Sequence, residues 1–157
     1  MHPTAQRPER YRDAVIAHIM LDDAPAAIDF YTRALEAEEV FRIAGLDGRI
    51  LHAEMAIEGS LVMLGDADEP FGSPAALRAT TIGLHVYVED VDTRFATAVE
   101  SGASVLQQPQ DMFYGARTAM LQDPFGHVWV LLSHQQDLSV EEITQRGEAL
   151  LAGSSEV

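Results

Sequence analysis

Ala17-His18-Ile19-Met20-Leu21-Asp22-Asp23 and Leu84-His85-Val86-Tyr87-Val88-Glu89-Asp90 are one pattern written twice. Each is an alternating run that ends on an acidic pair, as a strand does when a helix follows. The two histidines stand 67 positions apart (85 − 18). Gly59-Ser60-Leu61-Val62-Met63-Leu64 and Gly126-His127-Val128-Trp129-Val130-Leu131 keep the same interval (126 − 59). Two separate segments holding one register form an internal repeat, and each copy is too short to close a core alone.

Working outward, the first copy reads as a βαβββ unit. Val15 to Leu21 is a strand, and Asp23 caps a helix from about Ala24 to Leu35, with Pro25 tolerated in its first turn. Ile28, Tyr31 and Leu35 make its apolar stripe. A strand near Glu39–Ile43 meets the turn Leu46-Asp47-Gly48, and strands at about 49–57 and 60–64 are joined at Glu58-Gly59. The second copy gives a strand at 81–88, a helix from about Val91 to Ser101 carrying Phe95, Ala98 and Val99, a short strand at 104–106, and strands at 117–122 and 127–133. Ser139-Val140-Glu141-Glu142 is a capping box opening a short terminal helix, and the tail from Gly153 to Val157 reads as frayed. The expected organisation is one α+β domain. It comprises a flexible N-terminal arm (1–12), module 1 (13–66), a linker (67–79), module 2 (80–135) and a C-terminal helix with its tail (136–157).

Composition narrows the function classes. The 157 residues are 47% hydrophobic, enough for a full core, and carry a formal charge of −15. Such an acidic surface repels phosphate backbones, so nucleic acid is not an expected partner; the charge reads either as a device for solubility or, more sharply, as steering of cationic ligands toward the protein. No apolar run approaches the ~20 residues of a membrane span, and residues 1–12 lack the apolar stretch of a signal peptide. The chain has no cysteine, hence no disulfide, thiolate metal site or cysteine nucleophile. A cytoplasmic protein is expected. No nucleophile elbow, phosphate loop or nucleotide fingerprint is present.

Ala27-Ile28-Asp29-Phe30-Tyr31, Glu89-Asp90-Val91-Asp92 and Asp123-Pro124-Phe125-Gly126-His127-Val128-Trp129 resemble glyoxalase/bleomycin-resistance (vicinal oxygen chelate) sequences. His52-Ala53-Glu54 and Phe113-Tyr114-Gly115 are similar to its PhnB-like branch. The resemblance runs from about residue 14 to residue 145. It implies paired, pseudo-symmetric βαβββ modules forming a cupped mixed sheet with helices on the convex face. It fixes no substrate, since the superfamily spans isomerases, dioxygenases, resistance transferases and drug-binding proteins.

Spacing sorts the side chains between faces. In the first strand the odd positions from Val15 suit a helix-covered face, leaving Ile16, His18 and Met20 toward the cup. The two-residue turn at Glu58-Gly59 pairs Ile57 with Ser60, Met55 with Val62 and Ala53 with Leu64. Leu51, Ala53, Met55, Val62 and Leu64 then lie under the helix, and His52, Glu54 and Met63 face the cup. In module 2 the cup face is expected to carry Thr81, Gly83, His85, Tyr87, Ala119, Leu121, Val128 and Val130.

The resemblance also implies four metal-ligand positions: one seven residues before each helix-capping Asp and one four residues after each final-hairpin Gly. Here they hold Ile16, Gly83, Met63 and Val130, none of which ligates a hard or borderline divalent metal. The expectation is no metal and no cofactor. His18, His85, His52 and Glu54 leave a displaced zinc-like site open as the alternative.

The expected ligand-binding residues are His18, Met20, His52, Glu54, Met63, His85, Tyr87, Phe113 and Tyr114. Each has a structural alternative. His18 and His85 can simply bond neighbours across a strand seam. Met20, Met63 and Tyr87 can be core, and Phe113 and Tyr114 can anchor a loop. Glu54 is the most telling, since a carboxylate in an apolar cup must pair with His52, meet a ligand or take a proton. Two functions follow. The first is a small-molecule-binding protein without chemistry, sequestering an antibiotic or another amphiphilic natural product. The second is an isomerase, lyase or dioxygenase with a relocated metal, or one using Glu54 and His52 for acid/base work. A homodimer is expected for either.

Overall fold

The computed structural model describes residues 8–11 and 15–153. The chain divides into two compact units, Met1–Thr80 and Thr81–Val157. Each unit carries the βαβββ plan.

In the first unit, β1 (His18–Leu21), α1 (Ala24–Leu35), β2 (Glu38–Ala44), β3 (Ile50–Ile57) and β4 (Ser60–Asp66) form a sheet of order β1-β4-β3-β2. β1 runs parallel to β4, and the other pairs are antiparallel. The helix begins where expected because the Asp23 carboxylate accepts from the Ala26 N–H at 3.1 Å. It buries Ala27, Ile28, Tyr31, Ala34 and Leu35 against the sheet. Asp66, at the far end of β4, accepts from the Ala24 N–H at 2.8 Å and the Ile50 N–H at 2.6 Å. One carboxylate thus satisfies the first amide of α1 and the first of β3, two groups that secondary structure leaves without a partner. A short helix, α2 (Pro74–Leu77), follows; its capping Ser73 is buried and donates to Asp22.

The second unit repeats the plan with β5 (Gly83–Tyr87), α3 (Val91–Glu100), β6 (Ser104–Asp111), β7 (Ala116–Gln122) and β8 (Val128–His134), in the order β5-β8-β7-β6. Asp90 caps α3 by accepting from Asp92 and Thr93. Where unit 1 uses Asp66, unit 2 places Ser133, whose hydroxyl accepts from the Val91 N–H at 2.8 Å and donates to the Val88 carbonyl at 3.1 Å. α4 (Val140–Gly153) opens with both halves of the capping box: Glu142 N–H to Ser139 Oγ at 3.2 Å and Ser139 N–H to Glu142 Oε2 at 2.8 Å.

Several expectations are corrected. β1 starts at His18, and Val15, expected beneath the helix, is 90% exposed ahead of it. Leu51, also expected there, is 69% exposed, while Ile50 is buried. The pairing of β2 with β3 passes from Ile43↔His52 to Ala44↔Ile50 and skips Leu51. Leu51 is the extra residue of a bulge, which reverses the alternation at that point. Gly65 accommodates this bulge, since a Cβ there would come within 3.0 Å of the Leu51 carbonyl.

The larger correction concerns β7. Across the two-residue turn of unit 1, Ile57 pairs with Ser60, Met55 with Val62 and Ala53 with Leu64, as expected, with Glu58 and Gly59 both at positive φ. In unit 2 the Asp123 N–H donates to the His127 carbonyl at 2.9 Å around the three-residue turn Pro124-Phe125-Gly126. The turn is one residue longer, so β7 falls out of the 67-residue interval by one and its faces exchange. Ala119 and Leu121, expected in the cup, are buried on the helix side; Thr118, Met120 and Gln122 pair with Leu132, Val130 and Val128 on the opposite face.

At the ends, residues 1–7 and 12 of the expected arm lie outside the described residues, as do 154–157 of the tail. Glu9–Tyr11 forms a single 3-10 turn, and α4 includes Gly153.

Candidate functional site

Each sheet has one face covered by its helix and one face turned away from it. On the uncovered face of unit 1, strand pairing lays out the row Phe41–Glu54–Met63–His18 across β2, β3, β4 and β1. His52 lies beside this row on β3, and its ring meets two neighbours: His18 edge-on at 5.5 Å and Phe41 at 5.6 Å. Met20 follows His18 on the same face of β1. Five residues expected in a site, His18, Met20, His52, Glu54 and Met63, therefore share one face of one sheet.

Glu54 is the centre of this row and is 0% exposed. His52 Nε2 lies 3.4 Å from Oε1. Two further partners come from the 3-10 turn: the Tyr11 hydroxyl donates to Oε1, and Arg10 Nε stands 3.4 Å from Oε2. The Arg10 guanidinium also stacks 4.4 Å above the Tyr11 ring. A buried carboxylate needs such partners, because an isolated one costs far more than the fold tolerates. Neither Arg10 nor Tyr11 was legible as a site residue. Both sit in a polar stretch with no periodicity, and only the tertiary contact reveals them. Phe41 was hidden for another reason, since the register of β2 shifts between Glu39 and Phe41. Burial lowers the pKa of His18, and the neighbouring His52 lowers it further, so the neutral imidazole is favoured.

Unit 2 presents a different surface. Val130, Leu132 and Ala116 form a small apolar cluster, with Met120 and Tyr114 packed on it. His85 pairs with Val130 and Tyr87 with Leu132, both on the exposed strand β5, where Tyr87 is 60% exposed. The Tyr114 hydroxyl is 2.9 Å from that of Thr118, and the Tyr114 ring meets Phe113 edge-on at 5.2 Å. Phe113 packs over Gly147 of α4, where a Cβ would stand 3.2 Å from its ring. Phe113 and Tyr114 thus anchor the β6–β7 loop. The Asp123–Trp129 motif is likewise a turn device. The Asp123 carboxylate accepts from the Phe125 and His127 N–H groups and from Trp129 Nε1, each at 2.9 Å.

A sequence profile for the glyoxalase/bleomycin resistance protein/dioxygenase superfamily matches residues 15–131. The chain belongs to this superfamily. Mb0911c of Mycobacterium bovis is 38% identical over 136 residues, covering 83% of this chain and 89% of that protein. Among solved structures, TioX from Micromonospora sp. ML1 superposes with a TM-score of 0.63 at 26% identity, covering 80% of this chain and 98% of TioX. The PhnB protein of Bacillus cereus shares the fold at 19% identity and a TM-score of 0.59, covering 77% and 99%.

The four residues that the resemblance puts at metal-ligand positions do not have the chemistry to hold a divalent metal. Ile16 precedes β1, Gly83 opens β5, Met63 lies in the row beside Glu54, and Val130 is buried in the apolar cluster. None offers a carboxylate or imidazole. Among the described residues no three His, Asp or Glu side chains converge on a point that a metal ion would occupy. No helix among them is long and apolar enough to cross a membrane.

Proposed function

We propose that this chain is a small-molecule-binding protein of its superfamily that works without a metal and holds an amphiphilic natural product, an antibiotic among the candidates, on the uncovered face of unit 1. The observation that carries this reading is Glu54. It is a buried carboxylate on a face that also carries two imidazoles, a phenyl ring and two thioethers. Ligand pockets have this composition, largely apolar and aromatic with a few polar groups that fix orientation. Met63, at a position where metal-dependent relatives would carry a ligand, supplies a soft adaptable wall instead. The acidic surface favours cationic ligands. A homodimer in the cytoplasm is the setting we propose.

The 3.4 Å contact between His52 and Glu54 favours one second reading, metal-free proton transfer by that pair. A single experiment separates the two. Protein purified without chelator is screened by thermal shift against planar and amphiphilic natural products, with and without EDTA. Binding to the native state raises the melting temperature with ligand concentration. EDTA leaves the melting temperature unchanged, Met63→Ala weakens the shift, and the compound is recovered intact. A stoichiometric transition metal, or absence of any shift across the library, sinks the proposal. Conversion of a bound compound that Glu54→Gln abolishes transfers the case to the enzyme.

A further inference from the structure

The contact between the N-terminal turn and Glu54 has the form of a bound ligand. The βαβββ plan of unit 1 is complete without residues 9–11, and Tyr11 is 43 positions from Glu54 in sequence. Among the described interactions, the turn is closed by one backbone hydrogen bond, Tyr11 N–H to Pro8 carbonyl at 2.9 Å, and none of its three residues is buried. It adds nothing to the core. Its polar contacts nevertheless converge on the two oxygens of one buried carboxylate, a phenol on Oε1 and a guanidinium on Oε2. The guanidinium sits over the phenol ring, 4.4 Å from its centroid, so the pair presents one cationic aromatic group.

We infer that Arg10 and Tyr11 are an intramolecular stand-in for the ligand, and that unit 1 takes aromatic cations bearing a hydroxyl or amine donor, which bind by displacing the turn. This inference rests on the binding reading above and names the ligand class for the same face. Glu54 supplies the anion and the acceptor. The His52 ring, with His18 at 5.5 Å and Phe41 at 5.6 Å, supplies ring edges and faces for a planar group. While the turn is seated, Glu54 is covered. An incoming ligand therefore binds only the fraction of molecules in which the turn has left, and its apparent affinity falls by that fraction.

The probe is tyramine, a phenol with an ammonium group, titrated into the full chain by isothermal calorimetry. The double variant Arg10→Ala/Tyr11→Ala uncovers Glu54 and is expected to bind tyramine about tenfold more tightly than the unchanged chain, or better. Tyr11→Phe keeps the ring, removes the donor, and gives a smaller gain in the same direction. Arg33→Gln, which removes an equal charge from the exposed end of α1, leaves the affinity as it was; this separates displacement from a general change in charge. Glu54→Gln in the double variant returns tyramine to the affinity of its uncharged analogue p-cresol. Equal or weaker binding by the double variant overturns the inference, as does a gain matched by Arg33→Gln. If that happens while library compounds still give Met63-dependent shifts, the binding reading stands and only the stand-in falls. If neither tyramine nor any library compound binds either form, both fall.

Discussion

The uncovered faces of the two units are built on the same strand order but carry opposite chemistry. Unit 1 places Glu54 opposite Met63; unit 2 places Met120 opposite Val130. The first face is a charged centre ringed by imidazoles, and the second is an apolar cluster closed by Tyr114 and Met120. One added residue, in the turn Pro124-Phe125-Gly126, accounts for much of the contrast. It slides β7 by one position and sends Leu121, the residue 67 positions after Glu54, under α3. A duplicated plan can thus specialise one copy through turn length alone, because side-chain direction in a strand has a period of two.

The strongest test of this equivalence uses the cores. Leu64 and Leu131 occupy matching positions and are both fully buried, so Leu64→Ala and Leu131→Ala should each cost about 3 kcal/mol in urea denaturation. A cost below about 1 kcal/mol for either would show that the two cores are not built alike. The faces should respond asymmetrically. Met120→Glu puts a carboxylate on the apolar cluster of Ala116, Val130 and Leu132, and should lose about 2 kcal/mol. Glu54→Met replaces a buried charge by an apolar group of similar length, and should change stability by less than about 1 kcal/mol. Equal losses from the two substitutions would erase the distinction between the faces.

The helix-start contacts should differ more modestly. Asp66→Ala leaves two amide donors without their charged acceptor and should cost about 2 kcal/mol; Ser133→Ala, which removes a neutral hydroxyl from the Val91 amide and the Val88 carbonyl, should cost about 1 kcal/mol. The reverse order would mean that the Asp66 bonds contribute less than their geometry implies. The smallest effect concerns pH. The folded pKa of His18 lies below the unfolded value of about 6.5. The unfolded chain therefore binds more protons, and stability falls as pH drops from above 6.5 toward the folded pKa. His18→Gln should flatten that part of the stability–pH curve. An unchanged slope would remove His18 as its source.

The sequence placed the elements well where the signal is local. Asp23 and Asp90 start their helices, and Ser139 with Glu142 opens the last one, because a capping side chain acts within three residues of itself. The hairpin at Glu58-Gly59 set the register of β3 against β4, since a two-residue turn leaves one pairing. That register put His52, Glu54 and Met63 on the face away from α1. It did so despite the bulge at Leu51, which lies beyond those three residues from the turn.

Extrapolation along the repeat failed where a single residue of turn length mattered. The interval of 67 holds for β5 and β8 against β1 and β4, but nothing in the composition of the Asp123–Trp129 stretch shows that three of its residues, rather than two, form the turn. The partners of Glu54 were beyond reach for a related reason. That a carboxylate on this face must find partners follows from the energetics of burial, and the sequence determined that much by itself. Which groups satisfy it was decided only by the tertiary structure. Arg10 and Tyr11 approach through space across more than forty residues of chain, and no local periodicity, cap or turn rule encodes a contact of that separation.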